Sequence, residues 1–455
     1  MDRNTKLLLA LLFTGTLMGA IDLAIIGPAL PVIQNEFNMQ QRELSALLNF
    51  YTLLQMIGAL VLAKLADRYG PRLIYIISIS LFATGSLIMI MADVTWMLYL
   101  GRAVQGFGVG GILPAAAATI GAKLPANERG QALGILGMVW GVAFFLGPIL
   151  GGILLRFSWQ WLFAINLPIS LILIIGAIKM LPADSQRRIM PFDIKGLCVL
   201  IFTMSALVLG ITNIETNALL ESLLSLKVTG CFLLMLALIP FFWRIEKKAI
   251  DPIVKPDLFS SSQVSKSCII SVGVSAIQSG SIFLPALLVL ALNVTPADSS
   301  FLLLPGVVAA TIAAPIFGRM INIVGTRFIL LIGQILVLGA LSIYSFTDMT
   351  MGSFIFASII SGIGSSALVG APLRYIMLTE TGSDDRASAQ GLLSVASSTG
   401  RLLGAAIVGA VATSQGGGEF GYQSAFSGMV ILAVIIILVI MTLNSKRKEK
   451  ISAEG

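Results

Sequence analysis

The sequence contains no histidine. A histidine proton relay and a histidine-based zinc site are thereby excluded, and any protonation switch has to use carboxylates. Charge is scarce as well. Asp, Glu, Lys and Arg make up 11% of the 455 residues, against 57% hydrophobic, a balance far from that of soluble domains. There are three cysteines, Cys198, Cys231 and Cys268, all in or beside apolar blocks. Buried free thiols are therefore expected rather than a disulfide framework. Long polar connections are missing too, the longest being about 20 residues, which leaves no room for a soluble catalytic domain. No nucleophile–base pair, metal cluster or phosphate-binding loop is found, so the chain reads as a non-enzyme with no cofactor.

What is present is a series of apolar blocks of about 20 residues, each long enough to cross a ~30 Å hydrocarbon core as a helix. The expectation is an all-α polytopic membrane protein with fourteen spans, roughly 7–33, 44–64, 73–93, 97–120, 130–156, 160–181, 195–213, 224–243, 266–292, 299–319, 327–346, 352–376, 387–412 and 424–444. The first apolar run is too long for a cleavable signal peptide, and no small-residue cleavage site follows it. With both termini in the cytoplasm, about 24 of the 29 Lys and Arg fall at inner ends. Basic residues dominate inner loops in this way. The net charge of +7 is thus explained by membrane sidedness, and no nucleic-acid partner is expected.

The chain repeats itself. Asn127-Glu128-Arg129-Gly130 after span 4 is echoed by Asp384-Asp385-Arg386-Ala387 after span 12, an offset of 257. Pro28-Ala29-Leu30 recurs at the same offset as Pro285-Ala286-Leu287. Asp67 and Gly70 after span 2 are answered by Asn322 and Gly325, an offset of 255. The spacing predicts an N-terminal six-helix bundle over 1–181, a linker with two inserted helices over 182–254, a second six-helix bundle over 255–444 and a tail over 445–455. Parallel halves of this kind place a substrate site at mid-membrane between the bundles.

One acidic residue falls inside a span. Asp22 sits in Gly19-Ala20-Ile21-Asp22-Leu23-Ala24-Ile25, apolar on both sides for more than a turn. A carboxylate there costs roughly 2.5–3.5 kcal/mol on insertion scales, and such residues face a cavity or a partner rather than lipid. Arg102 in span 4 lies ~8 Å below the outer boundary and Asp22 ~16 Å below it, from the helical rise. An arginine spans that difference, so Asp22 and Arg102 are expected to be coupled, directly, through water or through Gln105, which shares a face with Arg102. The competing reading is that Arg102 snorkels to the interface. At the repeat offset Asp22 corresponds to Ser279, so only the first half carries an acid.

Four stretches carry a family resemblance. Ala63-Lys64-Leu65-Ala66-Asp67-Arg68-Tyr69-Gly70-Pro71-Arg72-Leu73 resembles the major facilitator superfamily signature G-x-L-a-D-r-x-G-r-k, with Ala63 for the usual Gly and Pro71 for a basic residue. Gly101-Arg102-Ala103-Val104-Gln105-Gly106-Phe107-Gly108 is similar to that superfamily's R-x-x-q-G-x-g. Gly147-Pro148-Ile149-Leu150-Gly151-Gly152, with Ala143 at the motif's middle glycine, resembles the antiporter motif G-x-x-x-G-P-x-x-G-G. Trp159-Gln160-Trp161-Leu162-Phe163-Ala164-Ile165-Asn166-Leu167-Pro168, with Phe192-Asp193-Ile194-Lys195-Gly196 and Asp251-Pro252, is similar to the fourteen-helix drug:proton antiporter family, tetracycline and multidrug exporters included.

The resemblance implies a major-facilitator fold and a gating latch between the bundles from Asp67, Arg68, Gly70 and Arg72. It also implies a glycine-thinned fifth span, built on Gly147, Pro148, Gly151 and Gly152, on which the bundles rock. Asp22 matches the acid of the family's D-x-x-x-x-x-x-A-L-P pattern, so proton coupling through Asp22, Arg102 and Gln105 is implied. Some relatives that export quaternary ammonium compounds carry a second acid in span 10. None stands there in this chain, Asp298 lying at the outer end, which disfavours divalent cations as substrates. Trp159 and Trp161 are expected to anchor at the interface, and Asn166 to bond a backbone group.

Gln55, Gln278, Phe283 and Arg401 are candidates to line a central cavity, while Arg374 is expected at the interface. The reading is a proton-coupled antiporter that exports hydrophobic or amphipathic small molecules by alternating access, as a monomer in the cell membrane, with lipid, substrate and protons as its partners. Burial disfavours a charged Asp22 and Arg102 favours it, so these opposed terms would let proton affinity follow conformation. The alternatives are a dedicated exporter of one endogenous metabolite or lipid and, third, a non-transporting membrane sensor.

Overall fold

In hydrocarbon every backbone N–H and C=O must be satisfied within the chain, so apolar runs of span length fold as helices. The computed structural model describes residues 3–39, 41–181, 193–214, 219–294, 299, 301–416 and 418–444, and among them no strand occurs. The spanning helices are α1 (Arg3–Glu36), α2 (Gln41–Tyr69), α3 (Pro71–Ile90), α4 (Thr95–Lys123) and α5 (Ala126–Leu154). They continue as α6 (Trp161–Met180), α7 (Ile194–Thr212), α8 (Leu226–Glu246), α9 (Ser262–Leu292) and α10 (Leu304–Val324). The series ends with α11 (Thr326–Phe346), α12 (Met351–Glu380), α13 (Arg386–Ser414) and α14 (Glu419–Met441). Thirteen of these qualify as spans by length and hydropathy, and the 29-residue, largely apolar α5 makes the fourteenth. The expectations concerning Phe192, Asp298 and the 445–455 tail lie outside the described residues.

Helix count and order follow the apolar blocks, but the helices run past them. α2 starts at Gln41 and ends at Tyr69, because a helix continues into the interface until a residue stops it. Gly70 does so with φ 93°, and Gly325 ends α10 with φ 84°. That left-handed region is open to glycine at no steric cost, so both bundles turn from one helix into the next by the same device. Three spans are interrupted. α6 breaks at Ile165 between Trp161–Ala164 and Asn166–Met180. α9 tightens to a 3-10 turn over Gly280–Phe283 ahead of Pro285, and α12 breaks at Gly370 ahead of Pro372. Proline cannot donate the helical hydrogen bond.

α1 to α6 pack together, with α4 clasped between α2 and α3. Gly106 and Gly110 abut the α2 backbone and Gly108 abuts that of α3, so a Cβ at any of them would collide. Close approach through small residues is how membrane helices gain packing energy. α9 to α14 form the second bundle around Leu287, Leu288, Phe354 and Phe426. α7 lies against α2 and α13 through Leu200, Leu207, Val208 and Ile211, beside Met56, Leu60 and Val395. α8 is peripheral, with only 6% of its span buried inside the protein, and its exposed Leu233, Leu234, Leu236, Ile239 and Phe241 present an apolar face to lipid. The three cysteines are free; Cys198, on α7, is exposed rather than buried.

Candidate functional site

Asp22 projects from the middle of α1 and is 1% exposed. Arg102, fully buried on α4, donates from Nη1 to Asp22 Oδ2 at 2.7 Å and to Gln105 Oε1 at 3.0 Å. The contact is direct, and Arg102 does not snorkel. Gln105 Nε2 donates to Ser86 Oγ at 2.8 Å and reaches Asp22 Oδ1 at 3.4 Å. Asn166 Nδ2 reaches the same Oδ1 at 3.4 Å and Ser86 Oγ at 3.2 Å. The guanidinium lies 3.9 Å from the centre of the Tyr51 ring on α2, a cation–π contact that is strong where water is excluded. Arg102 Nε and Nη2 have no hydrogen-bond partner among the described residues, so the ring face is what carries that side of the cation.

Two helices besides α1, α4 and α6, thus reach the carboxylate, and α3 and α2 support them through Ser86 and Tyr51. Asn166, expected from sequence to bond a backbone group, instead donates its side-chain amide into this network. The break at Ile165 turns its amide into the bundle. Ser86 and Tyr51 were also missed; each reads in sequence as ordinary helix packing. Trp159 is 1% exposed and donates from Nε1 to Glu36 Oε2 at 2.7 Å, so it seals the bundle rather than anchoring at the interface. Trp161, 53% exposed, remains peripheral.

At the face where α1 starts and α14 ends, Asp67 crosses between the bundles. Its Oδ1 accepts from Ala387 N at 2.8 Å and its Oδ2 from Ser388 N at 2.7 Å. It therefore caps the first turn of α13, where helix N–H groups are unsatisfied and the dipole favours an anion. Arg386, at the start of the same helix, is close enough to Asp67 to interact with its charge. The repeat counterpart of Asp67, Asn322, crosses the other way, donating from Nδ2 to Asn127 O at the start of α5.

Of the other latch residues, Arg72 is placed differently from expectation. Arg72 Nη2 donates to Ile178 O at 2.7 Å, which ties α3 to α6 inside one bundle because it lies beside the unsatisfied carbonyls of the α6 end. Arg68 lies 5.1 Å over the ring of its neighbour Tyr69. Gly70 supplies the turn. Two ion pairs that sequence did not single out join the face: Lys64 with Asp251, and Lys255 Nζ with Asp385 Oδ1 at 2.7 Å.

The glycines of α5 divide by position. A Cβ at Gly137 would lie 2.8 Å from Gly370 Cα, one at Gly134 2.8 Å from Ala314 O, and one at Gly130 2.6 Å from Gly318 O. These upstream glycines bring α5 against α10 and α12 of the other bundle. The motif that resemblance singled out lies elsewhere: Gly147 packs on Ala24 of its own bundle and Gly152 faces open space, while Gly151 is buried. The side chain of Pro148 lies outside the described residues.

Between the bundles lies a cavity whose walls include Gln55, Val109, Leu113 and Trp140 on one side and Ser275, Leu373, Arg374, Ser397, Ser398 and Arg401 on the other. Gln55 and Arg401 were expected there. Gln278 and Phe283 are not among its lining residues. Phe283 stacks toward Tyr422 with ring centres 6.3 Å apart, because the 3-10 turn over Gly280–Phe283 rotates the end of α9 onto α14. Arg374, expected at the interface, instead lines the cavity, held by Gln390 Oε1 at 3.1 Å.

The profile of the Major Facilitator Superfamily matches residues 12–277 and 268–455. Among known proteins, the chain is 29% identical over 408 residues to the uncharacterized MFS-type transporter YfiU of Bacillus subtilis, covering 88% of this chain and 79% of that one. It is 26% identical over 423 residues to the multidrug transporter protein MdtP of the same organism, covering 91% and 75%. Among solved structures, the crystal structure of the human organic anion transporter MFSD10 superposes with a TM-score of 0.74 at 13% identity, over 97% of this chain and 100% of that one. At that identity the likeness is one of fold.

Proposed function

The chain belongs to the major facilitator superfamily, and from that premise we propose that it is a proton-coupled exporter of hydrophobic or amphipathic small molecules, working by alternating access in the cell membrane. Relatives named as multidrug transporters support the export of varied compounds. The observation that carries the proton coupling is the buried network on Asp22: one carboxylate in mid-membrane, held by Arg102 and reached by Gln105 and Asn166.

We assign the face where α1 starts and α14 ends to the cytoplasm, because basic residues dominate inner loops. The contacts of Asp67 with α13 and of Gly130 with Gly318 then describe a form closed on the cytoplasmic side. In this form a proton arriving from outside neutralises Asp22. The Arg102 pair weakens, the bundles rock about α5 and α10, and the cavity opens inward. Release of the proton restores the pair, and substrate entry returns the carrier. Only a ligand that differs in affinity between the two forms can drive such a cycle. Asp22 supplies that difference for protons, because protonation removes the charge that Arg102 on α4 pairs with and that Gln105 and Asn166 reach.

The test is transport of a hydrophobic dye by purified protein in sealed vesicles, under a pH gradient and a sodium gradient separately. Uphill export is expected with the pH gradient alone, and is expected to vanish in Asp22→Asn while downhill exchange survives. Uphill export retained by Asp22→Asn would sink the proposal. A panel of antibiotic and dye susceptibilities in an efflux-deficient host then separates a multidrug carrier from one dedicated to a single metabolite.

A further inference from the structure

The cavity between the bundles has charge of one sign. Arg401 and Arg374 both line it, and no Asp or Glu does so among the described residues. Asp22 offers neither of them a counter-charge, since it is paired with Arg102 inside the first bundle. The partners of the cavity arginines are neutral. Arg401 donates to Ser398 Oγ at 2.9 Å and Ser397 Oγ at 3.4 Å, and Arg374 to Gln390 Oε1 at 3.1 Å.

A guanidinium has five N–H donors, so donors on both arginines are left over after these contacts. Two like charges lining a cavity between membrane-spanning helices, with no acid on its described walls, are costly, and in a membrane protein such a charge marks a substrate or ion pathway. The opposite wall is uncharged. Val109 and Leu113 are apolar and Trp140 lies 5.8 Å from the Arg401 guanidinium. One wall therefore offers a cationic, hydrogen-bonding surface and the other an apolar and aromatic one.

We propose that this cavity binds amphipathic anions, an apolar body against α4 and α5 and a carboxylate or sulfonate on Arg401 and Arg374. The proposal rests on the exporter reading for its direction of transport but not for binding itself. The guanidinium fork matches a carboxylate in two-point geometry, and the serine hydroxyls beside Arg401 hold the fork in place. Lipophilic cations are disfavoured at the same wall by like charge. Gln55 stands one turn after Tyr51 on α2, and the Tyr51 ring carries Arg102. The helix that touches the anion cavity thus also touches the Asp22 network.

The experiment is equilibrium binding to the full-length purified protein, with no gradient present, so that a failure of proton coupling does not affect it. The probes share one scaffold: 1-naphthylacetate, 1-naphthylacetamide and (1-naphthylmethyl)trimethylammonium. The carboxylate is expected to bind at least about tenfold more tightly than the amide, as a charge-assisted pair exceeds a neutral one, and the ammonium most weakly. Arg401→Gln and Arg374→Gln are expected to bring the carboxylate down to the affinity of the amide while leaving the amide unchanged. Arg401→Lys, which keeps the charge but loses the fork, is expected to fall between. Equal binding of carboxylate and amide, preference for the ammonium, or absence of carboxylate binding overturns the proposal. So does an Arg401→Gln protein that still binds the amide and keeps its preference for the carboxylate.

Discussion

Asp22 and Arg102 are each tolerable in the membrane because of the other. Both are out of contact with solvent, and removing one partner of a buried pair leaves an uncompensated charge, a loss of about 3–5 kcal/mol. Arg102→Ala is therefore expected to lower the melting temperature in detergent strongly. The double change Asp22→Asn with Arg102→Gln, which removes both charges, is expected to lower it much less than the two single changes summed. Additive losses, measured by tryptophan fluorescence on heating, would refute the pairing. This pair was legible in the sequence because a charge in an apolar run is expensive wherever it occurs. Its neutral partners were not. Ser86 also donates to Phe82 O at 3.0 Å, the ordinary local bond of a helical serine, and nothing in the sequence distinguishes that from membership of a network. Tyr51 reads as packing, and Asn166 reads as a partner to backbone until the break at Ile165 is known. Arg374 reads as interfacial from sequence because span 12 looks continuous, whereas Gly370 and Pro372 break that helix beside it.

At the level of elements, the fourteen helices and the two equivalent turns at Gly70 and Gly325 follow from apolar length and from glycine. What sequence could not supply is which helix end meets which. Asp67 was legible as a latch residue, but its partners are backbone N–H groups, which every helix start offers alike; only the packing of α13 against α2 selects Ala387 and Ser388. The same limit explains the antiporter motif. Glycine spacing marks a thinned face on α5, yet Gly134 and Gly137 meet the other bundle whereas Gly147 meets Ala24 and Gly152 nothing, because the orientation of α5 about its axis is set by its neighbours. The cap has a measurable value. Losing a helix cap costs about 0.5–2 kcal/mol, and one to two kcal/mol changes a two-state ratio by roughly 5–30-fold. Asp67→Asn keeps the shape but loses the charge and one acceptor. It is expected to shift the bundles away from the closed face, seen as a several-fold slower disulfide cross-link between Asn127→Cys and Asn322→Cys in a protein whose Cys198, Cys231 and Cys268 are serines. An unchanged cross-linking rate would mean that the cap does not hold the face.

For the whole molecule, the two halves repeat in backbone and differ in charge. The first holds a carboxylate balanced by Arg102. The second holds Arg374 and Arg401 facing the cavity with no acid on its walls among the described residues, and Ser279 stands where the repeat would put a second Asp22. Proton coupling and anion binding are thus proposed for opposite bundles, which move against each other. If one proton enters as one monoanion leaves, both movements run with an inside-negative potential, and two charges cross per cycle. Each charge is worth about 2.3 kcal/mol per 100 mV, so the potential contributes about 4.6 kcal/mol for an anion and half that for a neutral compound carried with the same proton. In vesicles of protein oriented with the chain ends inward, clamped at several potassium-diffusion potentials with pH equal on both sides, the limiting gradient of 1-naphthylacetate is expected to grow with potential. Its logarithm should be twice as steep in voltage as that of a neutral substrate in the same vesicles. Equal slopes would mean that the anion is carried with an extra proton, as a neutral acid, and the cavity arginines would then have to be read as structural.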